Sequence, residues 1–303
     1  MMTRPKRLRR SQLSVPGSNE RMMAKAAASA ADHVFLDLED AVAPNAKVEA
    51  RSKVVQALTS LDWGRKTRCV RINDLETEYA YEDVITIVAG AADHLDTIMI
   101  PKVKSAFDVR WVDTLLSQME CKLKLTRRIG LEVLIEEVEG MLNIAEIASS
   151  TPRLEAMIFG MGDYSASQGI DIRHVNGQGN YPGDIWHYPR YHLVVAARAN
   201  GLDAVDGPFA DFRNAEGYRE EARRAMLVGC VGKWAIHPDQ IAPALEIFSP
   251  DPEEVARARK MAQAYEEAQA RGEGAVQVDG IMVDVATIRI LQNTIKKADL
   301  IGM

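Results

Sequence analysis

Eight short apolar runs recur through the first 240 residues, and each ends on or beside polar residues. In order they are Leu13-Ser14-Val15-Pro16-Gly17, His33-Val34-Phe35-Leu36-Asp37-Leu38-Glu39-Asp40, Arg68-Cys69-Val70-Arg71-Ile72-Asn73, Thr97-Ile98-Met99-Ile100-Pro101-Lys102, Ile129-Gly130-Leu131-Glu132-Val133-Leu134-Ile135-Glu136, Ala156-Met157-Ile158-Phe159-Gly160-Met161-Gly162-Asp163, Ala204-Val205-Asp206-Gly207-Pro208 and Gly232-Lys233-Trp234-Ala235-Ile236-His237-Pro238. Runs of this length predict buried strands. Between them, apolar positions recur at helical spacing over residues 18–31, 45–58, 79–91, 106–119, 140–148, 188–199 and 215–227. Strand and helix alternate from residue 13 to residue 238, which predicts parallel strands joined by right-handed crossovers. Eight such units predict an α/β fold, a closed (β/α)8 TIM barrel whose active face is formed by the carboxyl ends of the strands. The polar run ends then converge on one site.

Two segments break the alternation. Residues 168–186 are rich in Gly, Asn, Asp and His without helical period, which predicts an ordered loop over the site. After Phe248, Ser249-Pro250-Asp251-Pro252 is a helix-start signal for a helix over 253–271. Asp279-Gly280 then sits between the apolar stretches 276–278 and 281–283, a hairpin signal, and a last helix begins at Val285. The predicted organisation is a barrel catalytic domain, 1–248, followed by a small helix-hairpin-helix lid domain, 249–303. Ser18 is the expected N-cap of the first helix.

Composition narrows the class. A chain of 303 residues, 47% hydrophobic, is long enough for one barrel plus an appendage. A net charge of −6 and a pI near 5.6 give no electrostatic reason to bind nucleic acid or an anionic membrane. The basic stretch Arg4-Pro5-Lys6-Arg7-Leu8-Arg9-Arg10 reads as a solvated arm, or alternatively as an anion contact at the barrel rim. No secretory h-region follows it and no run reaches a membrane span, so a soluble, cytoplasmic protein is expected. Cys69, Cys121 and Cys230 lack CxxC spacing and are expected to be buried free thiols. There is no GxxxxGK[ST] loop, and Gly177-Gln178-Gly179 lacks a strand-turn-helix context, which disfavours nucleotide hydrolysis and Rossmann-type dehydrogenation.

The polar strand ends carry the candidate chemistry. Glu136 and Asp163, ending runs five and six, bring two hard oxygen ligands to one point, which suits Mg2+ better than zinc. Asp163 has a second reading, as the cap of the next helix. Glu132 lies four residues deeper, roughly 13 Å down the strand, and is expected to be structural, as are Glu137 and Glu139. Arg71 is placed to polarise a carbonyl or clamp a carboxylate, with Asp37, Glu39 and Asp40 as its candidate partners. Glu39 and Asp40 are also placed to hold metal-bound waters. Lys102 is expected to have an electrostatic or packing role rather than a Schiff-base one. His237 is a candidate ligand contact.

Taken together, these motifs resemble the CitE-like branch of the HpcH/HpaI aldolase superfamily, and are most similar to its L-malyl-CoA/β-methylmalyl-CoA lyases. The resemblance covers nearly the whole chain. It rests on Val15-Pro16-Gly17-Ser18, Leu36-Asp37-Leu38-Glu39-Asp40-Ala41-Val42, Val70-Arg71-Ile72-Asn73, Ile100-Pro101-Lys102-Val103, Glu136, Gly162-Asp163-Tyr164-Ser165-Ala166-Ser167, Asp206-Gly207-Pro208-Phe209 and Gly232-Lys233-Trp234-Ala235-Ile236-His237-Pro238.

It implies a carbon-carbon lyase for CoA esters in which Glu136 and Asp163 hold Mg2+, with Mn2+ as a substitute, and chelate an α-keto acid such as glyoxylate. Arg71 would stabilise the developing oxyanion. CoA would run past Ser14, Val15, Asn19, Lys25, Gly162, Ile236 and His237, although relatives often carry arginine where this chain has Asn19. Asp284, on the lid, would be the acid/base and would come from a neighbouring subunit of a homotrimer or hexamer. The expected reaction is reversible cleavage of (S)-malyl-CoA to acetyl-CoA and glyoxylate. The alternatives are a malyl-CoA thioesterase, a citramalyl-CoA lyase, or the β subunit of a citrate lyase complex acting on an acyl-carrier protein. Asp171, His174 and Asn176 in the 168–186 loop depart from the family and bear on the acyl pocket.

Overall fold

The computed structural model describes residues 4–171 and 183–303. Eight parallel strands close into a barrel in chain order: β1 (Ser11–Pro16), β2 (His33–Asp37), β3 (Thr67–Arg71), β4 (Thr97–Ile100), β5 (Gly130–Ile135), β6 (Leu154–Phe159), β7 (Asp203–Asp206) and β8 (Gly232–Ala235). β1 pairs with both β2 and β8, which leaves no open edge. Around it lie α1 (Glu20–Ala27), α2 (Lys47–Ser60), α3 (Ala80–Ala91), α4 (Ala106–Leu123), α5 (Val138–Leu142), α6 (Ile144–Ala148), α7 (Met161–Gln168), α8 (His187–Ala199), α9 (Ala215–Val228) and α10 (Ile241–Phe248). The predicted barrel is the observed one.

Local chemistry moves some boundaries. The Asn19 side chain accepts from the Met22 amide at 3.0 Å, so Asn19 rather than Ser18 caps α1. That helix ends at Ala27, where the Ser29 hydroxyl donates back to the Ala26 carbonyl. The predicted helix over 140–148 is two short helices that meet at Asn143.

Strand alternation sorts the barrel interior into layers. The middle layer is apolar: Phe35, Cys69, Met99, Leu134, Ile158, Val205 and Trp234. Below it, Glu132 Oε1 accepts from Arg9 Nη2 (3.1 Å) and Thr97 Oγ1 (3.1 Å) and pairs with His33 Nε2 (3.0 Å). Glu132 is structural, as expected. The basic stretch, however, is no solvated arm and does not reach the rim that forms the active face. Arg9 is buried on Glu132, Glu155 and Asp203, Arg7 pairs with Glu155, and Arg10 pairs with Asp32. The carboxylates that desolvation would leave unpaired at the amino ends of β5–β7 draw these arginines under the barrel.

The C-terminal segment has its own small core. Asp251 caps α11 (Pro252–Ala270), accepting from the Glu253 and Glu254 amides. β9 (Val276–Val278) and β10 (Ile281–Val283) form the predicted hairpin, with Asp279 and Gly280 at positive φ in its turn. α12 (Val285–Ile301) packs over it through Ile288, against Met261, Tyr265, Val278 and Val283. At its far end Leu300 lines a cleft with Lys6, Arg7, Thr67 and Asp96, at the amino ends of the strands. Cys69 and Cys230 are buried as expected, whereas Cys121, on the outer face of α4, is exposed. No helix among the described residues is long and apolar enough to cross a membrane.

Candidate active site

The layer above Phe35 and Trp234 is charged. Arg71, the last residue of β3, lies 6.0 Å above the Phe35 ring centroid and 5.7 Å above that of Trp234. Its fork is bidentate on Asp37, with Nε to Oδ1 at 2.7 Å and Nη2 to Oδ2 at 2.6 Å. Asp37 is itself fixed by the amides of Glu39 and Ala41. Glu39 Oε2 lies 2.7 Å from Arg71 Nη1, and Asp40 Oδ2 at 3.6 Å. The Glu39 contact is an ion pair off the N–H axis, so this buried oxygen has no hydrogen-bond donor. The three partners expected of Arg71 are all there.

Glu136, one residue beyond β5, is 2% exposed. Its Oε1 accepts from the Lys102 amide at 2.9 Å. Burial raises its carboxyl well above the ordinary range; Arg71 opposes the rise, and Asp163 and Glu39 add to it. Asp163 is the third residue of α7 and not its cap, a position that Gly160 occupies. The charge of Asp163 thus reaches Glu136 and disfavours its ionised form. A buried carboxylate pushed upward by two neighbouring carboxylates, with an undonated Glu39 oxygen beside it, is a donor set that a hard divalent cation would satisfy. Glu136 and Asp163 would hold it.

A second grouping, His33, Cys69 and Glu132, brings one potential ligand atom from each residue within 4.8 Å in the lower barrel. It is a hydrogen-bonded network rather than a cation site, because Arg9 already compensates Glu132 and burial drives the Cys69 thiol upward, away from the thiolate a metal needs.

The other expected contacts are distributed around the mouth. Ser14 is half-buried near the end of β1, and the Val15 side chain is in the core, leaving only its backbone for a ligand. The Asn19 side chain is engaged as the α1 cap, while Lys25 is exposed on the last turn of that helix. Gly162 is exposed, with open space where a Cβ would stand. Ile236 is exposed beyond β8, and the His237 ring stacks on Phe212 at 4.6 Å. Asp284 is not with this group. Its Oδ1 caps α12, accepting from the Thr287 amide (2.8 Å) and hydroxyl (3.0 Å), and these bonds hold its carboxyl below the usual range. His174 and Asn176 lie outside the described residues.

Two positions that the sequence did not single out, Gly160 and Lys47, shape the site together with Lys102, whose expected electrostatic role is seen in its ion pairs. A Cβ on Gly160 would lie 2.5 Å from Glu136 Oε2 and 2.6 Å from Glu136 Cβ, so only glycine lets this carboxylate lie against the turn into α7. Lys47 Nζ donates to the carbonyls of Leu38 (3.1 Å) and Glu39 (2.8 Å) and to Asn73, pinning the loop that carries Glu39 and Asp40. Lys102 adopts a left-handed backbone, φ 49°, and its ammonium pairs with Glu39 and Asp40. A glycine at the very end of a strand, as in Phe159-Gly160, was the one available signal.

Residues 10–238 match the HpcH/HpaI aldolase/citrate lyase family. The chain belongs to that family. Within it, the chain is 45% identical to an L-malyl-CoA/β-methylmalyl-CoA lyase of Cereibacter sphaeroides, over 98% of this chain and 97% of that one. It is 38% identical to a (3S)-malyl-CoA thioesterase of the same species, over 97% and 95%. Among solved structures it is similar to CitE from Mycobacterium tuberculosis in complex with magnesium, acetoacetate and coenzyme A (32% identity, TM-score 0.73, 95% of this chain and 97% of that chain).

Proposed function

We propose that the protein reversibly cleaves (S)-malyl-CoA, or a close 3-hydroxyacyl-CoA dicarboxylate, to acetyl-CoA and glyoxylate. The observation that supports this reading is the buried Glu136 carboxylate, raised by burial, Asp163 and Glu39 and opposed by an Arg71 that is anchored bidentately on Asp37. Glu136 and Asp163 would hold Mg2+ or Mn2+, which would supply Lewis-acid polarisation of an α-keto acid. Arg71, locked in orientation by Asp37, offers fixed positive charge to the oxygen that becomes negative as the bond between C2 and C3 breaks. The C3 hydroxyl releases its proton to solvent as its oxygen becomes the aldehyde carbonyl of glyoxylate, and the electron pair remains on the thioester fragment as an enolate, which takes one proton at C2, so that protons balance overall.

Asp284 is the group we assign to that proton, giving it in cleavage and removing it in condensation. Its helix-capping bonds both use Oδ1, so capping and proton transfer are compatible. A neighbouring subunit supplies it. Around Asp284 the apolar residues Met282 (70% exposed), Val285 and Ile290 are exposed on this chain, while the far end of α12 is seated beneath its own barrel. A homo-oligomer, a trimer or hexamer, would cover that face and close the segment 249–303 as a lid over the next barrel. The CoA portion would lie along Ser14, Val15, Asn19, Lys25, Gly162, Ile236 and His237. Thioester substrates and three unpaired cysteines suit a reducing, cytoplasmic setting.

The test is incubation with malyl-CoA and Mg2+, with separate detection of glyoxylate, acetyl-CoA, free CoA and malate. Glyoxylate and acetyl-CoA in equal amounts support the lyase. Free CoA and malate without glyoxylate would replace it by a thioesterase, the activity named for the 38% identical relative.

A further inference from the structure

Lys102 lies between Pro101, at the end of β4, and Val103, whose amide donates to the Leu134 carbonyl at 3.3 Å. The turn has little freedom on its far side, since the Val103 carbonyl packs where a Cβ on Gly140 would come within 2.1 Å. Within this turn Lys102 is one of three non-glycine residues at positive φ among the described residues. A lysine pays for a left-handed backbone through contact of its Cβ with the backbone, whereas glycine adopts it freely. What the conformation achieves is visible at both ends of the residue. Its amide points at Glu136 Oε1, 2.9 Å away, and its ammonium bonds Glu39 Oε1 and lies 3.4 Å from Asp40 Oδ1. Glu39 in turn faces Arg71 through its other oxygen.

We propose that Lys102 is a positioning residue for the metal and oxyanion sites: its ion pair with Glu39 and Asp40 holds the left-handed turn that aims its amide at Glu136. The inference rests on the assignment of Glu136 as a metal ligand. It makes Lys102 the link between the two halves of the site, because one residue orients the carboxylate of β5 by its backbone and the carboxylate facing Arg71 by its side chain. A bystander cation would behave differently. Removing a positive charge beside a metal site favours a divalent ion, so every uncharged substitution would tighten binding.

The experiment measures Mn2+ affinity by electron paramagnetic resonance for the wild-type protein and for Lys102→Gly, Lys102→Ala, Lys102→Met and Lys102→Arg, alongside kcat and KM for malyl-CoA. Alanine and methionine, which strain the turn and lose its anchor, are expected to weaken Mn2+ binding about tenfold, the scale of lost ligand orientation. Glycine, which keeps the turn without strain, is expected to bind Mn2+ within about threefold of wild type. It should still lose kcat with little change in KM, since Glu39 then faces Arg71 without the ammonium; arginine should recover kcat. If alanine fails to fold, glycine against methionine makes the same comparison. Equal Mn2+ affinity in glycine, alanine and methionine, at or above the wild-type value, overturns the proposal. Absence of Mn2+ binding by the wild-type protein overturns the metal-site assignment itself, and this inference with it.

Discussion

Gly160→Ala is a one-atom test of how the barrel mouth is built. The added Cβ would come within 2.5 Å of Glu136 Oε2, 2.6 Å of Glu136 Cβ and 3.3 Å of Glu136 Cδ. The carboxylate tip could swing aside, but Glu136 Cβ is fixed to the end of β5 and cannot. Gly160 has φ −89°, which any residue adopts, so the substitution is a packing perturbation and not a backbone one. Relief requires the turn into α7 to move away from β5, carrying Asp163, three residues on, with it. Overpacking of this kind costs about 1–3 kcal/mol in stability. A displacement near 1 Å between the two carboxylates would lower turnover roughly 10²-fold. Thermal unfolding, Mn2+ titration and glyoxylate release on the same preparation separate these effects. Expected are a folded protein with a modestly lower Tm, weakened Mn2+ binding and a kcat reduced about 10²-fold. Wild-type metal affinity and turnover in Gly160→Ala would refute the claim that Glu136 and the α7 turn form one metal-holding unit.

Three further outcomes follow from the same geometry. Arg71→Lys keeps a positive charge but loses the fork on Asp37, so kcat should fall about 10²–10³-fold with little change in KM; near-normal kcat would remove Arg71 from oxyanion stabilisation. Asp284→Asn retains a good helix cap, so Tm should move little while kcat falls at least about 10²-fold. Mixing it with Glu136→Gln in one oligomer should restore activity if the lid acts across subunits, and no recovery would place it in cis. Burial would raise Glu132, yet His33 and Arg9 outweigh it and hold its carboxyl far below the usual range. Its stabilisation is complete above an unfolded carboxyl pKa of about 4.3 and is lost as pH falls toward the depressed folded value. Urea midpoints of Glu132→Gln should therefore decline less steeply below about pH 4.5 than those of the wild type; parallel declines would contradict the assignment.

The barrel was legible because eight apolar runs and their intervening helical periods leave few ways to bury both faces of a parallel sheet. The C-terminal helix-hairpin-helix was equally legible, from Pro252 at a helix start and Asp279-Gly280 in a hairpin. The charged strand ends marked Arg71, Glu136 and Asp163 as candidates because charge at a strand terminus stands out against an apolar run. The geometric part that other residues play was less legible. Gly160 and Lys102 act through a close approach and a left-handed turn, which depend on backbone geometry that residue type does not announce. The basic stretch at residues 4–10 looked solvated because the partners of Arg9, namely Glu132, Glu155 and Asp203, are more than 120 residues away and meet it only when the barrel closes. Asp284 carried both a structural and a chemical expectation, and its observed bonds are those of a cap.

The central claim is that Glu136 and Asp163 form a divalent-cation site that drives carbon-carbon cleavage. It is tested most directly by titrating Mn2+ into the wild-type protein and Asp163→Ala, and by measuring glyoxylate release from malyl-CoA at each Mn2+ concentration. In the wild type, cleavage should rise with site occupancy and vanish in EDTA, while Asp163→Ala should lose both binding and cleavage with its fold intact. Cleavage that is undiminished in EDTA, or wild-type binding and turnover in Asp163→Ala, would contradict it.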